Sequence, residues 1–197
     1  MGSRAEILSA LRAARAPAEP LPADPPVAAL RYPDPVSRLG EAIRAVGGTL
    51  LRTAVAADLA REVAGLIDRL QARRVVCEVP GAGEGNVRLA EIADPHALDG
   101  VDLAVLPGAF AVAENGAVWL PTGGLTHRGV FVIAEHLALV VPAEAIVNDM
   151  HEAYRRVRFD GPGFGVFLAG PSKTADIEQA LVIGAHGPRS TLVLLVG

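Results

Sequence analysis

A chain of 197 residues is long enough for one domain with a sizeable core, and 51% of its residues are hydrophobic while only 4% are aromatic. The net charge of -4 and an isoelectric point near 5.7 leave no basic footprint, and with so few rings for base stacking nucleic-acid binding is not expected. No run of about 18 apolar residues is free of charge or proline, so no membrane span is expected. Residues 1–15 lack the apolar stretch of a secretory leader, which points to a cytoplasmic protein.

Residues 4–15 have the spacing of a short amphipathic helix, with Ile7, Leu8 and Leu11 on one side and Arg4, Arg12 and Arg15 elsewhere. Seven of the 15 prolines then fall between Pro17 and Pro35, where the missing apolar period and the restraint before each proline predict an extended linker. The chain is therefore read as an amino-terminal arm and linker, residues 1–35, followed by an α/β domain, residues 36–197.

Within that domain the pattern alternates. Helices are predicted over 36–46 and 56–70 and strands over 49–53 and 75–79, a βαβ rhythm that implies parallel pairing. A strand follows over 101–106, then a hairpin within 111–120 turning about Asn115-Gly116, a strand over 136–141, a helix over 146–157 and a last strand over 193–196. Strands that read as continuous apolar runs need cover on both faces, so the expected architecture is a three-layer α/β/α sandwich around a mostly parallel sheet.

Cofactor signatures are missing. Gly81 to Asn86 has a superficial likeness to a dinucleotide loop, but Asn86 stands where a third glycine is required and Glu84 would repel a pyrophosphate, so it reads as a turn. There is no phosphate-loop, nicotinamide or flavin fingerprint, and no cofactor is expected on this chain. Cys77 lies in an apolar strand as a buried thiol; a single cysteine cannot form an internal disulfide, nor hold a four-thiolate zinc or iron-sulfur centre by itself. His96, His127, His136, His151 and His186 show no metal-binding spacing, and no metal is expected.

Two loops carry candidate chemistry. Leu120 to Arg128 is glycine-rich, and its hydroxyls, with Gly123 and Arg128, could hold an anion. After a short apolar strand at 165–169, Gly170-Pro171 breaks the chain; Ser172, Lys173 and Thr174 follow, and Thr174 is placed to cap a helix bearing Ile177, Ala180, Leu181 and Gly184, with Asp176 and Glu178 in its first turn and Gly187-Pro188 beyond its end. Either this loop lines a ligand site or it simply starts a well-capped helix.

Taken as a string, Gly170 to Arg189 closely resembles the carboxyl-terminal motif of the LUD domain family, of the lactate utilisation protein C type. The likeness runs from about residue 40 to the end and is strongest over 164–197. It implies a fold like that of CoA-transferases, ribose-5-phosphate isomerase and glucosamine-6-phosphate deaminase. It further implies a non-redox subunit of a bacterial system that oxidises L-lactate to pyruvate, with the clusters carried by iron-sulfur partner proteins. Glu114-Asn115-Gly116 is in turn similar to the catalytic glutamate turn of family I CoA-transferases, which makes Glu114 a candidate nucleophile or general base of a stand-alone transferase-like or sugar-phosphate-isomerase-like enzyme, although the same residues also make an ordinary hairpin turn. The candidate pocket gathers Glu114, Asn115, Gly116, Thr122, Gly123, Ser172, Lys173, Thr174, Asp176 and His186 around a small carboxylate, a sugar phosphate or an acyl-CoA.

Overall fold

The computed structural model describes residues 3–15, 29–53, 55–158, 163–176 and 179–197. The first helix, α1, spans Ser3–Ala13 and buries none of its residues; most of the expected linker lies outside the described residues. The second, α2, spans Pro35–Ala45. Asp34 caps it by accepting from the Ser37 backbone N–H at 3.0 Å and from the Ser37 hydroxyl at 2.6 Å, and Pro35 occupies the first turn, where a missing N–H costs nothing. Gly47, at φ +81°, ends α2: its N–H and that of Gly48 bond back to Arg44 and Ile43 at 2.9 and 2.8 Å.

Strand β1 (Thr49–Thr53), helix α3 (Ala56–Leu70) and strand β2 (Val75–Cys77) follow as expected, β2 two residues shorter than its apolar run. Next come β3 (Leu103–Pro107), β4 (Phe110–Val112), β5 (Val118–Pro121), the short helix α4 (Val130–Ile133) and β6 (His136–Pro142). The chain closes with β7 (Ile146–Val147), α5 (Met150–Arg156), β8 (Gly165–Leu168), β9 (Lys173–Thr174), β10 (Val182–Ile183) and β11 (Ser190–Val196).

Five strands form a wholly parallel central sheet in the order β1-β11-β6-β3-β2. Alternation along each strand divides the core in two. Ala104, Leu106, Leu137, Leu139, Val141, Val193 and Leu195 face Leu39 and Ile43 of α2, whereas Leu103, Val105, Ala138, Val140, Leu192 and Leu194 face Leu59 and Val63 of α3. The expected α/β layering is thus present, with an addition. A four-stranded sheet, β7-β4-β5-β8, shares the α2 side through Ala111, Val118 and Leu120. Its outer face carries Phe110, Val112 and Trp119 beneath Ala153 of α5.

Two predicted helices are corrected. The stretch from 146 opens with β7, which pairs in parallel with β4, and the helix starts only at Met150, after Asp149 caps it. More consequentially, no helix follows Gly170 among the described residues. Thr174 lies in β9, opposite Val182, and Lys173 opposite Ile183, in an antiparallel pair. The β-branched Thr174, Val182 and Ile183 suit a ladder, and Gln179 (φ +56°) and Gly184 (φ +79°) supply the left-handed turns that a helix through Ala180 and Leu181 would forbid. Ile177 and Glu178, assigned to the same helix, lie outside the described residues. The loop read as a turn from Gly81 is fastened to the sheet edge: Asn86 Oδ1 accepts from Val75 N–H at 2.8 Å and its amide donates to Arg73 O at 2.6 Å. That side chain covers a strand edge that would otherwise be open. Among the described residues no helix is long and apolar enough to cross a membrane.

Candidate functional site

The motif region is built by close approach. Gly170 sits at φ +74°, and a Cβ on it would collide with the Val46 carbonyl at the end of α2; Lys173 Nζ donates to that same carbonyl. Ser172 N–H donates to Pro188 O at 2.8 Å, and Gly184 N–H to Ser172 O at 3.0 Å. The hairpin is therefore folded back on the entry to β11. A hollow of about 300 Å³ opens there, lined by Ser172, Lys173 and His186 with Phe131, Val132, Leu137 and Leu168 as apolar walls. Such a lining, mostly apolar with a few polar groups converging, is what small-molecule sites present.

Thr122 is buried and held by Phe164 O, which accepts from its N–H at 3.1 Å and its hydroxyl at 2.6 Å. With Gly123, Leu125, Thr126, Arg128, Gly163 and Phe164 it borders a second hollow, of about 370 Å³. This lies at the Pro121–Gly165 end of the β5–β8 pair, while the Ser172 loop continues from its Val118–Leu168 end.

Glu114 lines neither hollow. β4 and β5 form the expected hairpin, and Asn115 Oδ1 accepts from Ala117 N–H at 3.0 Å across its turn. Gly116, at φ +76°, presses its backbone on α2, where a Cβ would stand 2.9 Å from Ile43 N. The exposed Glu114 carboxylate accepts from Met150 N–H at 2.9 Å at the start of α5, and Arg38 donates to the Glu114 carbonyl at 3.0 Å. A carboxylate so placed completes a helix start.

The ten expected site residues are therefore not gathered into one pocket. Ser172, Lys173 and His186 share one hollow and Thr122 and Gly123 another, while Glu114, Asn115 and Gly116 form a turn against α2 and α5. Thr174 is taken up in the β9–β10 ladder, and Asp176 is exposed. The small sheet carries the Thr122 loop to the end opposite the Glu114 turn and the Ser172 loop, and at that shared end the Glu114 carboxylate is taken up by the start of α5.

Around Glu114 the structure assembles a polar network that the motifs did not single out. Asp149 accepts from Glu152 N–H at 2.7 Å and from Leu30 N–H at 3.1 Å; Asn148 Oδ1 accepts from Tyr32 N–H at 3.0 Å; Glu152 accepts from Asn148 N–H at 2.9 Å and pairs with Arg31 at 3.4 Å. Arg38 lies over the Tyr32 ring, 5.4 Å from its centroid. Together these hold residues 30–32 as a strap across the start of α5. Asp149 followed three residues later by Glu152 is a helix-start signature that was readable in the sequence. Both carboxyls are held below their ordinary range, Asp149 chiefly by the Glu152 N–H and Glu152 chiefly by the Asn148 N–H. Burial pushes the half-buried Cys77 thiol the other way, upward, which keeps it protonated and unreactive. Among the described residues no three His, Cys, Asp or Glu side chains converge as a metal site.

Comparison with known proteins locates the motif. The LUD domain model matches residues 96–196. Lactate utilization protein C of Halalkalibacterium halodurans is 30% identical over 67% of this chain and 56% of its own length. Lactate utilization protein C 1 of Bacillus mycoides is 34% identical over 48% of this chain and 43% of its own length. The chain spans about half the length of the curated relatives it matches. A crystal structure of a DUF162 family protein from Deinococcus radiodurans superposes with a TM-score of 0.63 over 83% of this chain and 96% of that one, at 20% identity.

Proposed function

The chain belongs to the LUD domain family, and on that premise we propose that it serves bacterial lactate utilisation as a non-redox subunit, acting in the cytoplasm with iron-sulfur proteins in the oxidation of L-lactate to pyruvate. That oxidation removes two electrons and two protons, breaking the O–H bond of the hydroxyl and the C–H bond of the carbon that bears it as the carbonyl forms. A single cysteine cannot hold a four-thiolate cluster to receive the electrons, so in this reading they pass to clusters on the partners.

The observation that carries a subunit role is the exposure of large apolar side chains on α4 and on the motif hairpin. Val132 and Ile133 of α4 are 51% and 43% exposed, and Leu181 and Ile183 of the hairpin are 65% and 51% exposed. Val132 also lines the hollow, and large apolar side chains left exposed are what a protein interface leaves uncovered in an isolated chain. The hollow itself would take a small carboxylate or phosphate, with Ser172, Lys173 and His186 as its polar contacts.

Affinity capture of the tagged full chain from its native host grown on L-lactate tests this. Recovery of cysteine-rich iron-sulfur proteins together with lactate-dependent electron transfer is expected. The double variant Leu181→Asp, Ile183→Asp should recover about tenfold less of them at an unchanged melting temperature, since both side chains are exposed and carry the contact. Capture of the chain alone would replace the subunit reading with that of a stand-alone enzyme.

A further inference from the structure

We propose that the hollow beside Arg128 is a binding site for a small anion, either the carboxylate of an organic acid or a phosphate group, separate from the Ser172 hollow and independent of the lactate reading. Arg128 places its guanidinium over the Phe164 ring, 5.4 Å from the centroid. A guanidinium seated on a ring face keeps its fork of N–H donors clear of that ring, and the contact restrains its rotamers before any ligand arrives. That fork matches a carboxylate or phosphate edge through paired hydrogen bonds.

Arg128 combines donors free of any protein acceptor among the described residues with a seat on a ring at the edge of a hollow. Arg31, Arg38, Arg61, Arg88, Arg156 and Arg189 each have a carboxylate partner. Arg52, Arg74 and Arg158 donate to backbone carbonyls. Among the described residues no carboxylate or carbonyl takes the Arg128 donors, and the group borders a hollow of about 370 Å³. The rest of the lining suits an anion. Thr126 offers a hydroxyl with no protein partner among the described residues, beside the half-buried Leu125 and the half-exposed Phe164 ring. Around Gly123 nothing approaches a Cβ position within 4 Å, so a ligand can come close to the backbone.

The test is titration of the isotope-labelled full chain with L-lactate, pyruvate and inorganic phosphate in turn, at ionic strength matched with chloride, following the amides of Gly123, Gly124, Thr126 and Arg128. A saturable response to at least one is expected. Affinity should fall about tenfold or more in Arg128→Ala and several-fold in Phe164→Leu, which leaves the charge but removes its seat. Arg88→Ala, which removes a positive charge paired with Glu91, should leave it unchanged. Saturation by the organic acids but not by phosphate identifies a carboxylate ligand, and the reverse a phosphate. No saturable response beyond chloride, or equal affinity in Arg128→Ala, overturns the proposal. Capture of partner proteins is a separate readout, so either idea can fail without the other.

Discussion

Replacing Gly170 by alanine is expected to destabilise the fold by about 2–5 kcal/mol and to detach the motif hairpin. Two costs combine. The left-handed conformation at φ +74° costs an L-residue roughly 1–2 kcal/mol, and a methyl group driven into the Val46 carbonyl must push apart two backbone segments, an overpacking of about 1–3 kcal/mol. Neighbouring glycines separate these terms. Gly81 has a similar φ of +78° with nothing within 4 Å of its Cβ position, so Gly81→Ala should cost only the conformational part. Gly123 has neither constraint, and Gly123→Ala should be near neutral. Urea unfolding of the three variants checks the series by the order of their midpoints. An equal effect at Gly170 and Gly81 would mean that α2 yields to the methyl group and that the close approach is not what fixes the hairpin. Because Lys173 also bonds Val46 O, hydrogen exchange at Ser172 and Gly184 should quicken in Gly170→Ala before the central sheet responds.

The second large effect is expected at Asp149, which is only 5% exposed, caps α5 and holds the Leu30 N–H. Asp149→Ala removes the cap and one strap contact, a loss of about 1–3 kcal/mol, and should speed exchange of the Leu30 and Tyr32 amides. The pH dependence follows from the direction of its shift. A carboxyl whose folded pKa lies below its ordinary value of 3.8 stabilises the fold fully above that value, and the contribution disappears as pH falls through the folded pKa. Glu152, lowered in the same way, adds to the same acid limb. Asp149→Asn keeps a good capping side chain but cannot titrate, so its stability should fall less steeply on acidification below about pH 4. Identical acid limbs for wild type and Asp149→Asn would show that the strap carboxylate does not set the acid response.

Most of the fold was legible in the sequence, and the reason is local. The helices at Pro35–Ala45 and Ala56–Leu70 have apolar stripes and stop signals within their own windows, and the strands at His136–Pro142 and Ser190–Val196 are apolar from Leu137 and from Leu192 onward because both faces are covered, the last beginning three residues before its predicted start. The Asn115-Gly116 turn announced its hairpin. The failures lie where two explanations shared one pattern. From Thr174 to Gly184 the apolar spacing suited a helix, but pairing of Lys173-Thr174 with Val182-Ile183, in a hairpin anchored by Ser172 and Pro188, decided for a ladder. Ile146 and Val147 read as the start of a helix until β4 provided an edge to join.

The candidate site divides in the same way. Its residue types, and the motif that marks the family, were determined by the sequence alone, since hydroxyls, a lysine, a histidine and glycines stand in a fixed string from Gly170 to Arg189. Which of them share a hollow was decided only by tertiary structure. Thr122 and Ser172 sit on loops that leave opposite ends of the small sheet, and the Glu114 turn, which leaves at the Ser172 end, has its carboxylate taken up by the start of α5; no local pattern encodes either outcome. Gly170, Gly81 and Gly123 are indistinguishable as letters; what separates them is the Val46 carbonyl, 124 positions away in the chain, which only packing brings against one of the three.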